Sequence, residues 1–352
     1  MRGKGVTYDT GFFNGTVSTH EPFDPEVVAR EMRIIRDDLN CTAVRVTGGD
    51  VGRLETAARH AAAAGLEVWL SPFTCDLTTD QLLELLADCA RRAERLRHAG
   101  AAVVFVTGSE VSLFTQGFFP GDTIGDRLAV LGDPHPMRER LPAIPPLVNA
   151  FLERAVSVAR HWFRGPLTYA SIPFEGVAWT AFDIVATDGG YRSADVAAVF
   201  RDGIRHLVGQ GKPVAITEFG CTTYRGSADM GARGDQIIEW STDARPLRLD
   251  GDYIRGEEEQ ASQVRELFDI FEAEGVDSAF VSTFARFDLP HRAEPRLDLD
   301  TASYGVVKVL EDRRGDRYPD MAWEPKAAFD TIAEMYGGNL ETTHRRPGRD
   351  WG

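Results

Sequence analysis

Two glutamates carry the most chemistry per residue in this chain. Glu110 in "VTGSE" and Glu218 in "PVAITEFG" each stand at the end of an apolar run of the kind that forms a buried strand. A single carboxylate in such a place is as readily a solvated loop residue or an arginine's partner. Two of them facing each other across one site can flank a scissile bond, one protonating the leaving group while the other attacks the carbon. A carboxyl separation of about 5 to 5.5 Å is the one that suits double displacement with retention.

Periodicity along the chain predicts the scaffold that would hold such a pair. Apolar runs over 5–13, 42–48, 66–73, 101–110, 166–174, 182–189, 212–220 and 276–284 read as strands. Amphipathic stretches between most of them read as helices: from Asp24 and Pro25 to Leu39, 50–64, 79–98, about 146–163, 193–208, 257–273 and a closing 323–336. Gly65 and Gly100 are expected to end two of these helices in the left-handed conformation. Strands five and six are joined by only a short link through Trp179. Eight strands alternating with helices close most naturally into a single-domain α/β fold, a (β/α)8 TIM barrel spanning 1–352, with no linker and no internal repeat. An open doubly wound sheet fits less well, because the strands recur too often and no glycine-rich dinucleotide fingerprint follows the first.

In such a barrel the chemistry gathers at the C-terminal ends of the strands, which turns those ends into a search list. They hold Tyr8 and Asp9, Arg45, Pro72 and Phe73, Ser109 and Glu110, Tyr169 and Ser171, Asp188 with Tyr191, Glu218, and Arg286 with Asp288. Tyr8, Asp9, Asp188, Tyr191, Arg286 and Asp288 are candidate substrate contacts, since a hydroxyl-rich ligand needs paired donors and acceptors. Trp179 and Trp240 could stack on a ring, and Glu175 is a competing acid. His135 and His291 fall in mouth loops. Two long excursions, 115–145 and 225–256, come after the strands that carry the glutamates and are expected to wall or cover the pocket.

These motifs resemble the large clan of (β/α)8 retaining glycoside hydrolases with an acid/base glutamate on strand four and a nucleophile on strand seven. The resemblance rests on Glu110 in "VTGSE", Glu218 in "PVAITEFG" and Arg45 in "TAVRVTG", with "WEPKAAFDTIAEMY" similar to the clan's closing helix. It implies that Glu218 is the nucleophile, that Arg45 supports it and keeps its pKa low, and that Glu110, without such a cation, has a raised pKa and serves as acid and then base. Two positions depart from the clan. Ser109 stands where an asparagine usually binds the sugar 2-hydroxyl, and "VSTFARF" offers Phe284 and Phe287 where strand eight usually supplies a tryptophan platform. Those departures keep two alternatives in view: a lyase, isomerase or cyclase using the glutamates for proton transfer on a specialised metabolite, and a non-catalytic barrel that binds a sugar-like ligand.

Composition narrows the partners. Lys and Arg number 39 against 54 Asp and Glu, a net charge of −15, and a balance that acidic argues against a polyanion such as nucleic acid. The start "MRGKGVTYDTGFF" meets Tyr8 and Asp9 before any apolar core, unlike a signal peptide, and no run is long enough to span a bilayer, so a cytoplasmic protein is expected. Cys41, Cys75, Cys89 and Cys221 lack metal-ligand spacing and read as packed free thiols. The histidines show no HExxH, and there is neither a GxSxG elbow nor a P-loop. The expected partner is a small, sugar-containing substrate, with no metal and no cofactor.

Overall fold

In a computed structural model the chain is described over residues 1–338; residues 339–352 of the expected domain lie outside the described residues. The eight expected strands are present as β1 (Gly3–Asp9), β2 (Ala43–Gly48), β3 (Glu67–Pro72), β4 (Val103–Ser109), β5 (Leu167–Ala170), β6 (Val185–Thr187), β7 (Val214–Phe219) and β8 (Ser278–Val281). They form one parallel sheet in the order β5-β4-β3-β2-β1-β8-β7-β6. Its two ends meet at the bridge between Ser171 and Thr187, which brings the ring round to the (β/α)8 barrel.

Both faces of these strands are buried, which is why they read as continuous apolar runs rather than alternating ones. One parity fills the barrel interior with Ala43, Trp69, Val104, Val106, Ala170, Ala215 and Phe280. The other parity, including Val6, Val44, Phe105 and Ile216, packs against the helices. Ten helices accompany the sheet among the described residues: α1 (Pro25–Asp37), α2 (Val51–Ala63), α3 (Thr79–His98), α4 (Val111–Phe114), α5 (Ile124–Gly132), α6 (Pro134–Arg140), α7 (Ile144–Trp162), α8 (Ala197–Val208), α9 (Glu257–Glu274) and α10 (Ala327–Gly337). Asp24 caps α1 by accepting from the Glu26 amide, and Thr78 and Gln81 form a reciprocal capping box on α3. Gly65 and Gly100 take the expected left-handed conformation, with φ of 80° and 97°.

Two expectations need correction, and the second excursion takes a form the sequence left open. The 115–145 stretch is not irregular: α5 and α6 occupy it, α5 opening on a Thr123–Asp126 capping box. The closing helix does not begin at Trp323. Trp323–Pro325 pairs antiparallel with Val307–Val309, the Trp323 ring is buried, and α10 starts only at Ala327. The 225–256 stretch folds into short 3-10 turns and a hairpin of Ile238–Trp240 with Pro246–Leu249. A small apolar core of its own, including Tyr224, Ile237, Leu249 and Leu299, holds it.

Candidate active site

Both glutamates owe their aim to an extra residue in their strand. Along β4, Val106 pairs with Thr168 but Ser109 pairs with Ala170, so three steps on one strand match two on the other. Along β7, Ile216 pairs with Ala279 and Phe219 with Val281, the same mismatch. A bulge of this kind shifts the side-chain parity and re-aims the side chains beyond it. In β4 it turns Ser109 inward, and in β7 it returns Phe219 to the outer face while Glu218 faces the mouth. Gly108, with φ of 115°, accommodates the β4 bulge where a side chain would be strained and would press on Val111. Glu110 then takes a left-handed turn, φ 45° and ψ 44°, at the start of α4.

That turn is held from outside the barrel. The Val111 amide donates to the Tyr169 hydroxyl at 2.8 Å, the Ser112 amide donates to Glu175 at 3.0 Å, and Tyr169 donates to the same Glu175 carboxyl. The strained residue is thereby fixed by partners that touch only its neighbours.

Arg45 shares the inward parity of Ala43 and is fully buried at the centre of the mouth. Its Nη1 donates to Glu218 Oε1 at 2.8 Å, Asp188 Oδ1 at 3.0 Å and the Thr217 carbonyl at 3.1 Å. Its Nε reaches Ser71 and its Nη2 reaches Ser109, both at 3.1 Å. Ser109 in turn donates to Asp188 Oδ2 at 2.6 Å. The second oxygen of Glu218 accepts from Tyr191 at 2.9 Å. Tyr191 gets there because residue 190 is glycine: a Cβ on Gly190 would lie 2.3 Å from the Glu218 carbonyl oxygen.

Two carboxyls, Glu218 and Asp188, thus share one guanidinium, with Glu110 near enough to feel its charge. Burial, followed by the negative charges of Asp188, Glu218 and Glu175, pushes Glu110 well above the usual carboxylate range, with Arg45 opposing. Burial and then Asp188 also raise Glu218, to about 7, against the pull of Arg45 and Tyr191. The expectation that Arg45 keeps Glu218 low is corrected here: desolvation and a second carboxylate on the same guanidinium outweigh it. Glu110, which has no hydrogen bond to Arg45, is the one left to carry a proton.

Strand parity separates the other candidates. Tyr8 shares the outward face of Val6, is fully buried, and donates to Glu31 on α1, which also accepts from Trp323 at 2.8 Å; Tyr8 is not a mouth residue. Tyr169 faces outward too, and it and Glu175 are supports of the α4 turn rather than a ligand contact and a rival acid. Phe284 is no ring platform: it is sealed between Tyr8 and Trp323, at ring distances of 6.0 and 5.3 Å. Phe287 stacks on His20 at 3.7 Å.

Asp9 is inward, accepting from the Gly11 amide at 2.8 Å and from Thr19, and burial raises it to about 6. Arg286 makes a bidentate pair with Asp288, at 2.9 and 2.8 Å, and approaches Asp235 to 4.0 Å. Asp235, from the second excursion, is absent from the strand-end candidates because nothing in "GARGDQI" marks it. His291 bonds Asp298 at 2.9 Å, and His135 is exposed beside Glu139. Trp240 is exposed on its hairpin.

A cavity of about 930 Å³ opens beside Glu110, Asp188 and Tyr191 and is also lined by Ser171 and Trp179. Both excursions reach it, the first through Leu131 and the second through Met230 and Arg233. Among the described residues no group of three or more His, Cys, Asp or Glu side chains could hold a metal ion, no helix is long and apolar enough to cross a membrane, and the four cysteines are unpaired.

No family profile matches the chain, and no curated protein sequence does. Solved structures do. A GH113 β-1,4-mannanase superposes with a TM-score of 0.57 at 16% identity, covering 96% of this chain and 99% of the mannanase. The GH113 β-mannanase of Alicyclobacillus acidocaldarius, in complex with ManMIm, gives the same score and identity over 96% and 97%. The β-glucuronidase of Parabacteroides merdae gives 0.54 at 14% identity, over 96% of this chain and 36% of that longer one. The chain shares the (β/α)8 barrel fold of these proteins.

Proposed function

We propose that the protein is a retaining glycoside hydrolase in which Glu218 is the nucleophile, Glu110 the acid/base and Arg45 the group that orients Glu218. One observation carries this reading: two inward carboxyls at the ends of β4 and β7, one clamped by Arg45 and Tyr191, the other free of both and more strongly biased to keep its proton. In the first step Glu218 forms an ester to the anomeric carbon as the glycosidic C–O bond breaks, and Glu110 gives its proton to the departing oxygen. In the second, water gives a proton to Glu110 and its oxygen displaces Glu218, restoring both groups. Ser109 is engaged by Arg45 and Asp188, so a 2-hydroxyl contact has to come from another side chain.

Because similar barrels are named for β-mannan and β-glucuronide substrates, activated β-mannosides and β-glucuronides head the assay panel. A 2-deoxy-2-fluoro glycosyl fluoride of the accepted sugar should label the protein once, and peptide mass spectrometry should find the label on Glu218. Labelling elsewhere, or product of inverted configuration, defeats the assignment.

The raised pKa values of both glutamates favour one second reading, proton shuttling in an isomerase or lyase. Solvent deuterium appearing in carbon-bound positions of the product, with no reducing sugar released, would establish that instead.

A further inference from the structure

The barrel departs from its own rhythm between β5 and β6. Residues 171–184 join them with two short 3-10 turns, where the preceding and following strands are linked through full helices. The space next to this link is not closed off. It is continuous with the mouth: the cavity that starts at Glu110, Asp188 and Tyr191 runs between the link and α8 as far as Leu207 and Gln210. Beyond the carboxyls its walls are mainly hydrocarbon and aromatic, with Phe174, Val177 and Trp179 on the link facing Val199, Phe200 and Ile204 on α8, and with Ser193, His206, Gln210 and Arg233 among its few polar members. Val199 is 62% exposed, a large apolar side chain left open to this groove. A sugar chain needs paired donors and acceptors along its path, and this wall is poor in them.

The position of Glu110 decides what belongs there. An acid must lie within hydrogen-bond reach of the oxygen it protonates, so the group attached to that oxygen extends into the space adjoining Glu110. We infer that the groove is the leaving-group subsite and that it selects glycosides of apolar alcohols, a hydrocarbon chain or fused ring system lying along α8. This rests on the reading of Glu110 as the acid. The apolar wall is what assigns the chemistry of the occupant, and its continuity with Glu110 is what ties that occupant to the substrate.

The test separates the groove from the chemistry. The full chain is titrated calorimetrically with 1-butanol, 1-hexanol and 1-octanol, which need no sugar site. Each added methylene should tighten binding by about two- to fourfold. Gly203 lies on α8 against the cavity, and a Cβ there meets nothing within 4 Å. Gly203→Phe should therefore fill the groove without harming the helix, and should weaken 1-octanol by about tenfold or more while the melting midpoint holds or rises. Val199→Asp should weaken it in the same direction through a charge on the wall.

A second arm compares methyl and octyl glycosides of the accepted sugar, below the micelle concentration; the octyl compound should have the higher kcat/KM, and Gly203→Phe should erase that advantage. Equal binding of butanol and octanol, or octanol binding untouched by both variants, overturns the inference even if glycosides are hydrolysed. Turnover with no octyl preference overturns it too. Chain-length-dependent alcohol binding without turnover of any glycoside overturns the hydrolase reading, and the leaving-group assignment with it.

Discussion

The two sides of the barrel mouth are built from opposite materials. On the β8–β1 side, Asp9, Arg286, Asp288 and Asp235 form a charged cluster whose members already hold partners: Arg286 grips Asp288 with two hydrogen bonds, and Asp9 accepts from Gly11 and Thr19. On the β5–β6 side the walls are Phe174, Trp179, Phe200 and their neighbours. Arg45 and the two glutamates stand between them. A ligand with one hydroxyl-rich end and one apolar end has a single favourable orientation in such a mouth. Polar groups left unpaired against the apolar wall would cost about 1 to 3 kcal/mol each, so the asymmetry sets direction as well as affinity.

The most severe probe of the ground between the two walls is Glu218→Gln, which keeps the shape and removes the nucleophile. Turnover should fall on the order of 10⁴-fold or more with the melting midpoint within a few degrees of the parent, read from single-turnover assays and calorimetry. Arg45→Met should come next in consequence, and for stability rather than chemistry alone. It strands Asp188 and Glu218 in a buried site without their cation, and should cost about 3 to 5 kcal/mol in chemical denaturation. A variant as stable as the parent would show that the mouth is wetter than its burial implies.

The pH profile is set by the same cluster. Activity needs Glu218 ionised and Glu110 protonated, so the acid limb of kcat/KM should lie near 7, with the alkaline limb set by Glu110 above it. Tyr191→Phe removes the hydroxyl that holds Glu218 down and should move the acid limb to higher pH with about a tenfold loss at pH 7. An unmoved limb would assign it to another group.

Stability should run the other way with pH. Asp9 is raised to about 6 and Glu31, Glu175 and Glu218 to about 7, each first by burial. A carboxyl that binds its proton more tightly folded than unfolded contributes stability in full below its unfolded pKa and loses it as pH rises through the folded one. Glu94, held at about 2 by its hydrogen bonds with Arg97, acts oppositely and matters only as pH falls below the ordinary carboxylate range. Melting midpoints should therefore be highest at about pH 4, near the unfolded carboxylate pKa values, and decline as pH rises to about 7. The smallest expected effect is Asp288→Asn, a loosening of Arg286 on the polar side, which should raise KM a few-fold with kcat nearly unchanged.

Much of this architecture is legible in the chain. All eight strands can be counted because parallel strands buried on both faces stay apolar throughout, and Arg45 can be placed by its strand end. Parity is where strand ends mislead. Tyr8 and Tyr169 sit near strand ends but share the outward face of Val6 and Leu167, a distinction that alternation carries and position alone does not. The bulges at Gly108 and before Phe219 are not readable, since an extra residue shows only against its partner strand. Gly190 is visible in "DGGY", but its purpose depends on how closely that segment passes over β7. The helix α5 does carry a signal, Thr123 and Asp126 three residues apart ahead of an apolar stretch, hidden by the glycines and prolines around it.

The joint between β5 and β6 has a consequence for motion. Elsewhere the ring is held by ladders of backbone bonds, but here it meets at one bridge, with only the Asp183 and Asp188 amides donating across it, to the Leu167 and Ser171 carbonyls, and the hydroxyls of Thr168, Ser171 and Thr187 bonding to the opposing carbonyls. The three hydroxyls are buried, so their bonds stand in for a ladder, but no full helix lies in the link that closes this joint. In amide exchange, residues 183–188 should therefore open well before β2 or β3 and independently of global unfolding. The ring has one place where it can breathe, and that place lies alongside the groove.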